Sequence, residues 1–254
     1  TSFPLKKVNE YSQNYLKPIM AIRYSPNNTK DISSKDILLN YDNIFSLNRI
    51  GSNEFVEGGR SIALGLEYAK IDLLDNTIFG FKIASSISDK KNDNLPTKSK
   101  LNKTRSDFVG NLSYSPNNIL NFDYNFSYDS NFDGSNYDSI STSIDLNNFF
   151  TKFNFHSLDG ELGDSEVISN TTKYNFNSEK SLIFNTTKNL KNDFTEYYNL
   201  IYSYETDCLT ASLDFNKKFY QDGSLVPTKS LLFTIRFIPF VDLEPASFNT
   251  LINK

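Results

Sequence analysis

Apolar and polar residues alternate with a period of two along most of this chain. In the stretch "LNFDYNFSY" the apolar Phe122, Tyr124 and Phe126 alternate with the polar Asp123 and Asn125. Successive side chains of a β-strand point to opposite faces, so each such stretch has one apolar and one polar face. No segment of useful length has the 3.6-residue period of an amphipathic helix. The pattern therefore predicts an all-β fold.

The alternation predicts about twelve strands, which start near residues 16, 60, 76, 104, 118, 136, 148, 166, 180, 193, 207 and 229. Many run for ~10 to 12 residues, roughly the length that a tilted strand needs to cross a bilayer. Short turns alternate with longer connections, which span residues 25–57, 87–103, 130–135, 158–166 and 221–228; a short turn near residue 191 is the exception. Short turns at one rim and long loops at the other are typical of outer-membrane barrels. We therefore predict an antiparallel transmembrane β-barrel, with a soluble β-sandwich as the alternative.

Composition excludes several classes of function. The 254 residues carry a net charge of -4, spread along the chain, which does not favour nucleic acid as a partner. One Cys, one His and one Met leave little material for a metal centre, and we predict no cofactor. Asp133, Asp159 and Asp164 lie in Gly-bearing loops without EF-hand spacing, and we interpret them as solvated carboxylates. The chain begins inside a patterned segment with no initiator Met, so we expect it to be the C-terminal part of a longer protein.

His156 and Ser157 raise the possibility of a membrane lipase. A hydrolase needs its base within reach of the nucleophile, with a third group to orient the base. Barrel phospholipases carry these two residues two positions apart on one face, whereas here they are adjacent and point to opposite faces. We therefore predict that the protein is not an enzyme.

Two stretches are more specific. The first contains "NIFSLNR", residues 43–49, followed by "VEGG", residues 56–59; its distinctive residues are Asn43, Phe45, Asn48, Arg49, Gly58 and Gly59. The second starts at Cys208, near the beginning of the penultimate predicted strand, and ends in "FIPF", residues 237–240. With "LKPIMAIRYSPNN" before the first long loop, these motifs resemble the C-terminal barrel region of the lipopolysaccharide-assembly outer-membrane proteins of the LptD family. The resemblance covers most of the chain, although residues 88–200 match in pattern only.

The resemblance implies an architecture. Residues 1–240 would form the C-terminal half of a large outer-membrane barrel, and residues 241–254 a periplasmic tail. With the C-terminus in the periplasm, loops 25–57 and 87–103 would be extracellular. A complete outer-membrane pore of about twelve strands is the alternative.

The resemblance also implies a function, which is the insertion of lipopolysaccharide into the outer leaflet. The lipid would arrive from a periplasmic bridge protein through an N-terminal domain that this sequence lacks, and leave between the first and last barrel strands. Partners would include an LptE-like plug lipoprotein and the barrel-assembly machinery. The last predicted strand, residues 229–240, would form the lateral gate and the assembly signal, through Leu231, Phe233, Ile235, Phe237, Pro239 and Phe240.

Cys208 shares the parity of Thr210 and Ser212, so its side chain is expected on the polar face. No Lys, Arg or His is adjacent to it in sequence, which disfavours a reactive thiolate. The family resemblance implies a disulfide to a cysteine outside this chain. Non-reducing electrophoresis of the full-length protein and of its Cys208→Ser variant tests that bond, because unchanged mobility would exclude it.

Overall fold

The computed structural model describes residues 1–35, 37–50, 57–160, 162–219 and 228–237, and the backbone of residues 246–248. These segments contain strands and turns, with no helix that could span a membrane. The strands are β1 (Leu5–Val8), β2 (Gln13–Ser25), β3 (Gly59–Ile71), β4 (Thr77–Ser88), β5 (Phe108–Tyr114), β6 (Leu120–Tyr128), β7 (Ser135–Leu146), β8 (Phe149–Gly160), β9 (Gly163–Asn175), β10 (Lys180–Asn189), β11 (Phe194–Glu205), β12 (Leu209–Lys218), β13 (Thr228–Phe237) and β14 (Ala246–Phe248).

The strands form one sheet in which each strand neighbours the next in sequence, and the registered pairs are antiparallel. This up-and-down order confirms the predicted all-β antiparallel fold class. The order is linear from β1 to β14, and no pairing among the described residues closes the sheet. β2 to β13 correspond to the twelve predicted strands, and the largest difference is at β5, which begins at Phe108 rather than near residue 104. The short β1 and β14 escaped prediction because four and three residues are too few to show a period.

The chain divides into two compact units, Thr1–Ser141 with His156–Ser165, and Thr142–Phe155 with Glu166–Lys254. In the first unit the exposed large apolar side chains of β2, β3 and β4 share one face of the sheet. Ile22 is 71% exposed and Ile87 is 51% exposed, and both lie beside Ile62 in the register of β2, β3 and β4. On the opposite face Arg23, Ser61 and Ser86 are buried. A soluble sandwich buries its apolar face, so this inverted burial favours a sheet that faces lipid.

The second unit repeats the division of faces. Phe184, Leu200 and Phe215 are neighbours on β10, β11 and β12, and all three are exposed. On the other face Asn185 Nδ2 donates to Asn199 Oδ1 (3.0 Å), and Asn199 Nδ2 donates to Asp214 Oδ1 (2.6 Å). The second unit therefore has an apolar outer face and a hydrogen-bonded polar face.

The hydrophobic core of the first unit lies between the sheet and two long loops, residues 26–58 and 89–107. The first loop contributes Ile32, Leu39, Tyr41, Ile44 and Ile50, the second contributes Leu95 and Leu101, and the sheet contributes Ala63, Ala84 and Val109. The sheet supplies mostly small side chains, so the loops supply most of the buried apolar volume. Both loops therefore lie against the polar face of the sheet.

Candidate functional site

The first long loop approaches the sheet most closely at Gly65. A Cβ atom at this position would lie 2.5 Å from Cζ of Phe45 and 3.1 Å from Cβ of Ala84. The ring of Phe45 also meets Tyr41 edge to face, with ring centroids 5.5 Å apart. The absence of a side chain at Gly65 thus creates the space in which Phe45 packs, and fixes where the loop lies on β3.

A buried cluster of two arginines and one glutamate joins the same loop to three strands. Arg49 and Glu57 are each 1% exposed in their side chains, and Arg23 is 8% exposed. Glu57 Oε1 accepts from Nη2 of both Arg49 and Arg23, the latter at 2.6 Å, and Glu57 Oε2 accepts from Arg49 Nε at 3.0 Å. The Arg49–Glu57 pair is therefore bidentate, which is the strong geometry for a guanidinium and a carboxylate.

Neutral partners complete the cluster. Arg23 Nε donates to Ser61 Oγ (3.1 Å) and Arg23 Nη1 to the carbonyl oxygen of Glu57 (2.7 Å). Arg49 Nη1 donates to Ser86 Oγ (2.6 Å). Two positive charges share a single carboxylate, so Glu57 is the group on which the burial of both arginines depends. We call these five residues, Arg23, Arg49, Glu57, Ser61 and Ser86, the arginine–glutamate cluster.

The turn after Glu57 explains the two glycines of the sequence motif. A Cβ atom on Gly58 would lie 1.9 Å from the carbonyl oxygen of Asn27, so no other residue fits there. Gly59 has φ +98°, a backbone conformation that side chains disfavour. The Gly58 N–H donates to Thr29 Oγ1 (2.9 Å), which also accepts from Asn92 Nδ2 (2.8 Å) of the second loop. The turn therefore places Glu57 in the cluster and links the two loops.

The asparagines of the motif shape the loop itself. The Asn43 N–H donates to Asn40 Oδ1 (2.9 Å) and the Asn40 N–H donates to Asn43 Oδ1 (3.0 Å), while Asn43 Nδ2 donates to the Leu38 carbonyl (2.8 Å). Asn48 Oδ1 accepts from the Ile50 N–H at 3.2 Å. In a sheet, backbone N–H and C=O groups pair with a neighbouring strand. In this irregular segment, asparagine side chains satisfy several of these groups instead.

A polar pocket of about 420 Å³ lies on the same face, beside the cluster-bearing loop. Asn111 Nδ2 donates to Asp123 Oδ2 (2.9 Å) and to Asn125 Oδ1 (3.0 Å), and Lys82 Nζ lies 5.6 Å from the centre of the Tyr41 ring. The lining is Asn40, Tyr41, Asp42, Lys82, Asn111, Asp123, Asn125 and Tyr137. Amides, carboxylates and one ammonium group suit the binding of hydroxyl groups, as on a sugar, rather than bond-breaking chemistry.

A family model described as LPS transport system D (LptD) matches residues 2–158, more than half of the chain. The protein belongs to the LptD family. The match spans both long loops and the whole arginine–glutamate cluster, and it confirms the family resemblance, although the motif at residues 208–240 lies beyond it. No curated protein matches the chain. LptD proteins are transport components of the outer membrane, with lipopolysaccharide as substrate and LptE-type partners.

His156 contacts an aromatic residue of the polar pocket. Its ring meets Tyr137 edge to face at 5.3 Å, and Tyr137 lines the polar pocket. His156 therefore lies on the polar face, as its parity predicted. Among the residues with described positions, no three His, Cys, Asp or Glu side chains are grouped to hold a metal ion.

The predicted gate residues lie on β13, which pairs with β12 along ten residue positions. Leu231, Phe233 and Phe237 are exposed on the side that Leu213 and Phe215 of β12 share, while Ile235 is half-buried. Pro239 and Phe240 lie outside the described residues. β13 is not the last strand, because β14 pairs with it at Leu231–Phe233. The roles of these residues stay predictions.

Cys208 is a free, exposed cysteine in the turn directly before β12. Its disulfide to a cysteine beyond this chain stays a prediction. Cys208 belongs to the second unit and the arginine–glutamate cluster to the first, so the motifs that carried the sequence resemblance are divided between the two units.

Asp107 is a functional candidate that the sequence did not indicate. It lies in the second loop directly before β5 and is fully buried, with Oδ2 accepting from Asn136 Nδ2 (2.6 Å) and Ser127 Oγ (3.0 Å). Oδ1 has no partner within the described part of the chain. Burial raises the pKa of Asp107 to about 6, against the lowering effect of both donors and of Lys100.

We expect Asp107 to make stability depend on pH. Its pKa in the folded protein is about 6 and its ordinary value is 3.8, so the carboxyl group stabilises the fold in acid. That contribution is complete below the ordinary pKa and is lost as the pH rises through the folded-state pKa. The loss is of the order of 1–3 kcal/mol. Asp107→Asn should remove this pH dependence, measured as the free energy of unfolding in detergent between about pH 4 and about pH 7.

Asp72→Asn is the control for this experiment. Asp72 is partly exposed in the turn after β3, and hydrogen bonds from Asn76 and Leu74 lower its pKa. Asp72→Asn should therefore show the same loss of stability with rising pH that Asp107 causes in the unchanged protein. An unchanged decline in Asp107→Asn would show that another group causes it.

Proposed function

We propose that this protein inserts lipopolysaccharide into the outer leaflet of the outer membrane, and that the lipid leaves the barrel sideways through a lateral gate. Membership of the LptD family supports involvement in lipopolysaccharide transport. The gate, the route and the orientation of the chain in the membrane are parts of the proposal.

The observation that carries the proposal is the opposite character of the two faces of the sheet. Exposed Ile, Leu and Phe side chains cover one face in each unit, and hydrogen-bonded Asn, Asp and Ser side chains cover the other. An amphiphile needs both environments, since its sugars require hydrogen-bonding groups while its acyl chains require an apolar surface. A translocon that passes sugars along its interior and acyl chains into the bilayer has this division.

The polar pocket and the long loops fit an interior that guides sugars. The pocket offers amide and carboxylate groups and a single lysine, a set that binds hydroxyl groups without holding a phosphorylated molecule permanently. The loops occupy the polar face of the first unit with their own core. A passive pore, the alternative function, would leave that face to water.

The pairing of β13 supports a gate at this end of the sheet. β13 pairs with β12 from Thr228 to Phe237, whereas on its other edge the described pairing covers only Leu231, Leu232 and Phe233. A gate at this edge would require a seam with few ladder hydrogen bonds, since each lost bond costs about 1 kcal/mol. Pro239, which lacks an N–H group, would weaken the seam further.

The partners and orientation follow from the same proposal. The C-terminus would lie in the periplasm, with the two long loops at the cell surface. An LptE-like lipoprotein would plug the complete barrel, and a periplasmic bridge protein would deliver lipid to an N-terminal domain. The disulfide of Cys208 would tie that domain to the strands next to the gate.

Photo-crosslinking along β13 tests the gate. A benzophenone side chain at Leu231, Phe233 or Phe237 of the full-length protein in cells should capture newly made lipopolysaccharide. The matched controls are Phe184 and Leu200, which are also exposed and apolar but lie on β10 and β11. Equal capture at β13 and at the control positions would mean ordinary contact with the leaflet, and no gate at this strand.

A further inference from the structure

The outer face of the first unit carries a groove with one apolar and one cationic part. Ile22, Ile62 and Ile87 lie side by side on β2, β3 and β4, and in the next row Tyr24 lies opposite Arg60. Together with Arg23, Ser61, Ser88 and Asp89 they line a groove of about 590 Å³. The three isoleucines form its apolar part, and Arg60 stands at its end near the long loops.

A second, polar pocket of about 350 Å³ continues the groove into the loops. It shares Tyr24, Arg60, Ser88 and Asp89 with the groove and adds Lys90 and Lys91. Arg60, Lys90 and Lys91 are exposed, and none of them forms an ion pair with any residue in the described segments. Three cationic side chains against the single exposed carboxylate of Asp89 give the mouth of the groove an excess of positive charge.

Arg60 is held in position although it points away from the fold. Its guanidinium lies over the ring of Tyr24, 5.6 Å from the ring centre, and its carbonyl oxygen accepts from the Asp89 N–H at 3.2 Å. An arginine that stacks on an aromatic ring keeps its N–H groups in a fixed fork, which matches the oxygens of a phosphate group.

We propose that this groove binds a lipopolysaccharide molecule of the outer leaflet, with its phosphates at Arg60, Lys90 and Lys91 and an acyl chain along Ile22, Ile62 and Ile87. The inference rests on the proposed function, which places the long loops at the cell surface. Three cations around one mouth suit a head group with more than one phosphate, and this separates lipopolysaccharide from lipids with a single phosphate. The site belongs to β2, β3 and β4 and is separate from the proposed gate strand β13.

Photo-crosslinking with a benzophenone at Ile62 of the full-length protein in outer membranes tests the site. The adduct should be lipopolysaccharide, and Arg60→Ala should lower its yield about tenfold, the effect of losing one charge-assisted phosphate contact. Lys90→Ala with Lys91→Ala should also lower the yield, and since both side chains are exposed we expect these substitutions to leave the fold unchanged. The control is Arg105→Ala, because Arg105 also lies over a ring, that of Phe108 at 4.8 Å, but does not line the groove.

Two results would overturn the site. A phospholipid adduct at Ile62 would identify the wrong occupant. A lipopolysaccharide adduct of equal yield in Arg60→Ala, Arg105→Ala and the unchanged protein would reduce the groove to ordinary contact with the leaflet. Crosslinks from β13, measured in parallel, separate this inference from the proposed function. Capture at Ile62 without capture at Phe233 would support the binding site and exclude the gate. Capture at Phe233 without capture at Ile62 would exclude the binding site alone.

Discussion

Glu57→Gln is expected to detach the first long loop from the sheet. The substitution keeps the size of the side chain but leaves Arg49 and Arg23 buried without the carboxylate that both contact. Removing one partner from a buried ion pair costs about 3–5 kcal/mol, because the remaining charge is neither hydrated nor paired with an opposite charge. Here two charges are left, so we expect the upper part of that range.

Limited proteolysis measures this loss directly. Lys30 and Lys35 lie exposed in the first loop, and trypsin should cleave there much faster in Glu57→Gln once the loop leaves the sheet. The matched control is Glu67→Gln on the same face of β3. Glu67 pairs with Lys17 at 3.0 Å, but both side chains are partly exposed, so this change should cost less than about 1 kcal/mol. Equal cleavage in the two variants would mean that the cluster does not hold the loop.

A double variant separates charge from shape in this cluster. Adding Arg49→Met to Glu57→Gln removes one of the two uncompensated cations and replaces it with an apolar side chain of similar length. The double variant should therefore resist trypsin better than Glu57→Gln alone. Additive losses from the two substitutions would show that packing, rather than buried charge, dominates here.

The strands were predictable because each one repeats the same two-residue period over many positions. β11 shows this well, since Tyr198, Leu200 and Tyr202 share one parity and are exposed, whereas Asn199 between them is buried. Strand ends were less certain, as at β5, because polar residues such as Asp107 can continue an alternation without being part of the ladder. Period alone also cannot state whether the apolar face meets lipid or a core; the burial of Arg23 and Ser86 on the opposite face favours lipid.

The packed loops were not predictable from the same signal. Ile32, Leu39, Ile44 and Phe45 are apolar, but no period connects them, so the sequence predicted only that residues 25–57 form a long extracellular loop. The sequence indicated a packed loop only through the number of these apolar residues, which is high for a loop that is surrounded by water. Gly65 and Ala63 on β3 are a second indication, because these small residues leave room for the apolar side chains of the loop.

The residues of the arginine–glutamate cluster were partly visible in sequence. Arg49 and the "EGG" turn stood out through the family resemblance, whereas Arg23 was not singled out from its strand. Their contact could not be derived, because Arg23 and Glu57 are 34 positions apart and meet only when the irregular loop folds back on β2. Ser86 gave no signal at all, since a serine on a polar face is ordinary until its partner is known.

Leu200→Arg is expected to cost about 2–4 kcal/mol of folding free energy, the cost of a cation on the lipid face of a strand near the bilayer midplane. Leu200 lies in the middle of β11, exposed between Phe184 and Phe215 on the apolar face of the second unit. The family match ends at residue 158, so this position tests whether the second unit faces lipid independently of that match. Urea titration of folding into lipid vesicles measures the cost.

Asn185→Arg is the matched control, because Asn185 lies on the polar face of the neighbouring strand β10. Its amide donates to Asn199, which in turn donates to the carboxylate of Asp214, so an arginine there has an acceptor and an anionic group close by. We expect Asn185→Arg to cost well under about 1 kcal/mol, since polar-face substitutions affect selectivity more than stability. Equal costs for the two substitutions would place both faces of the second unit in similar surroundings, and would exclude a membrane-spanning sheet in this part of the chain.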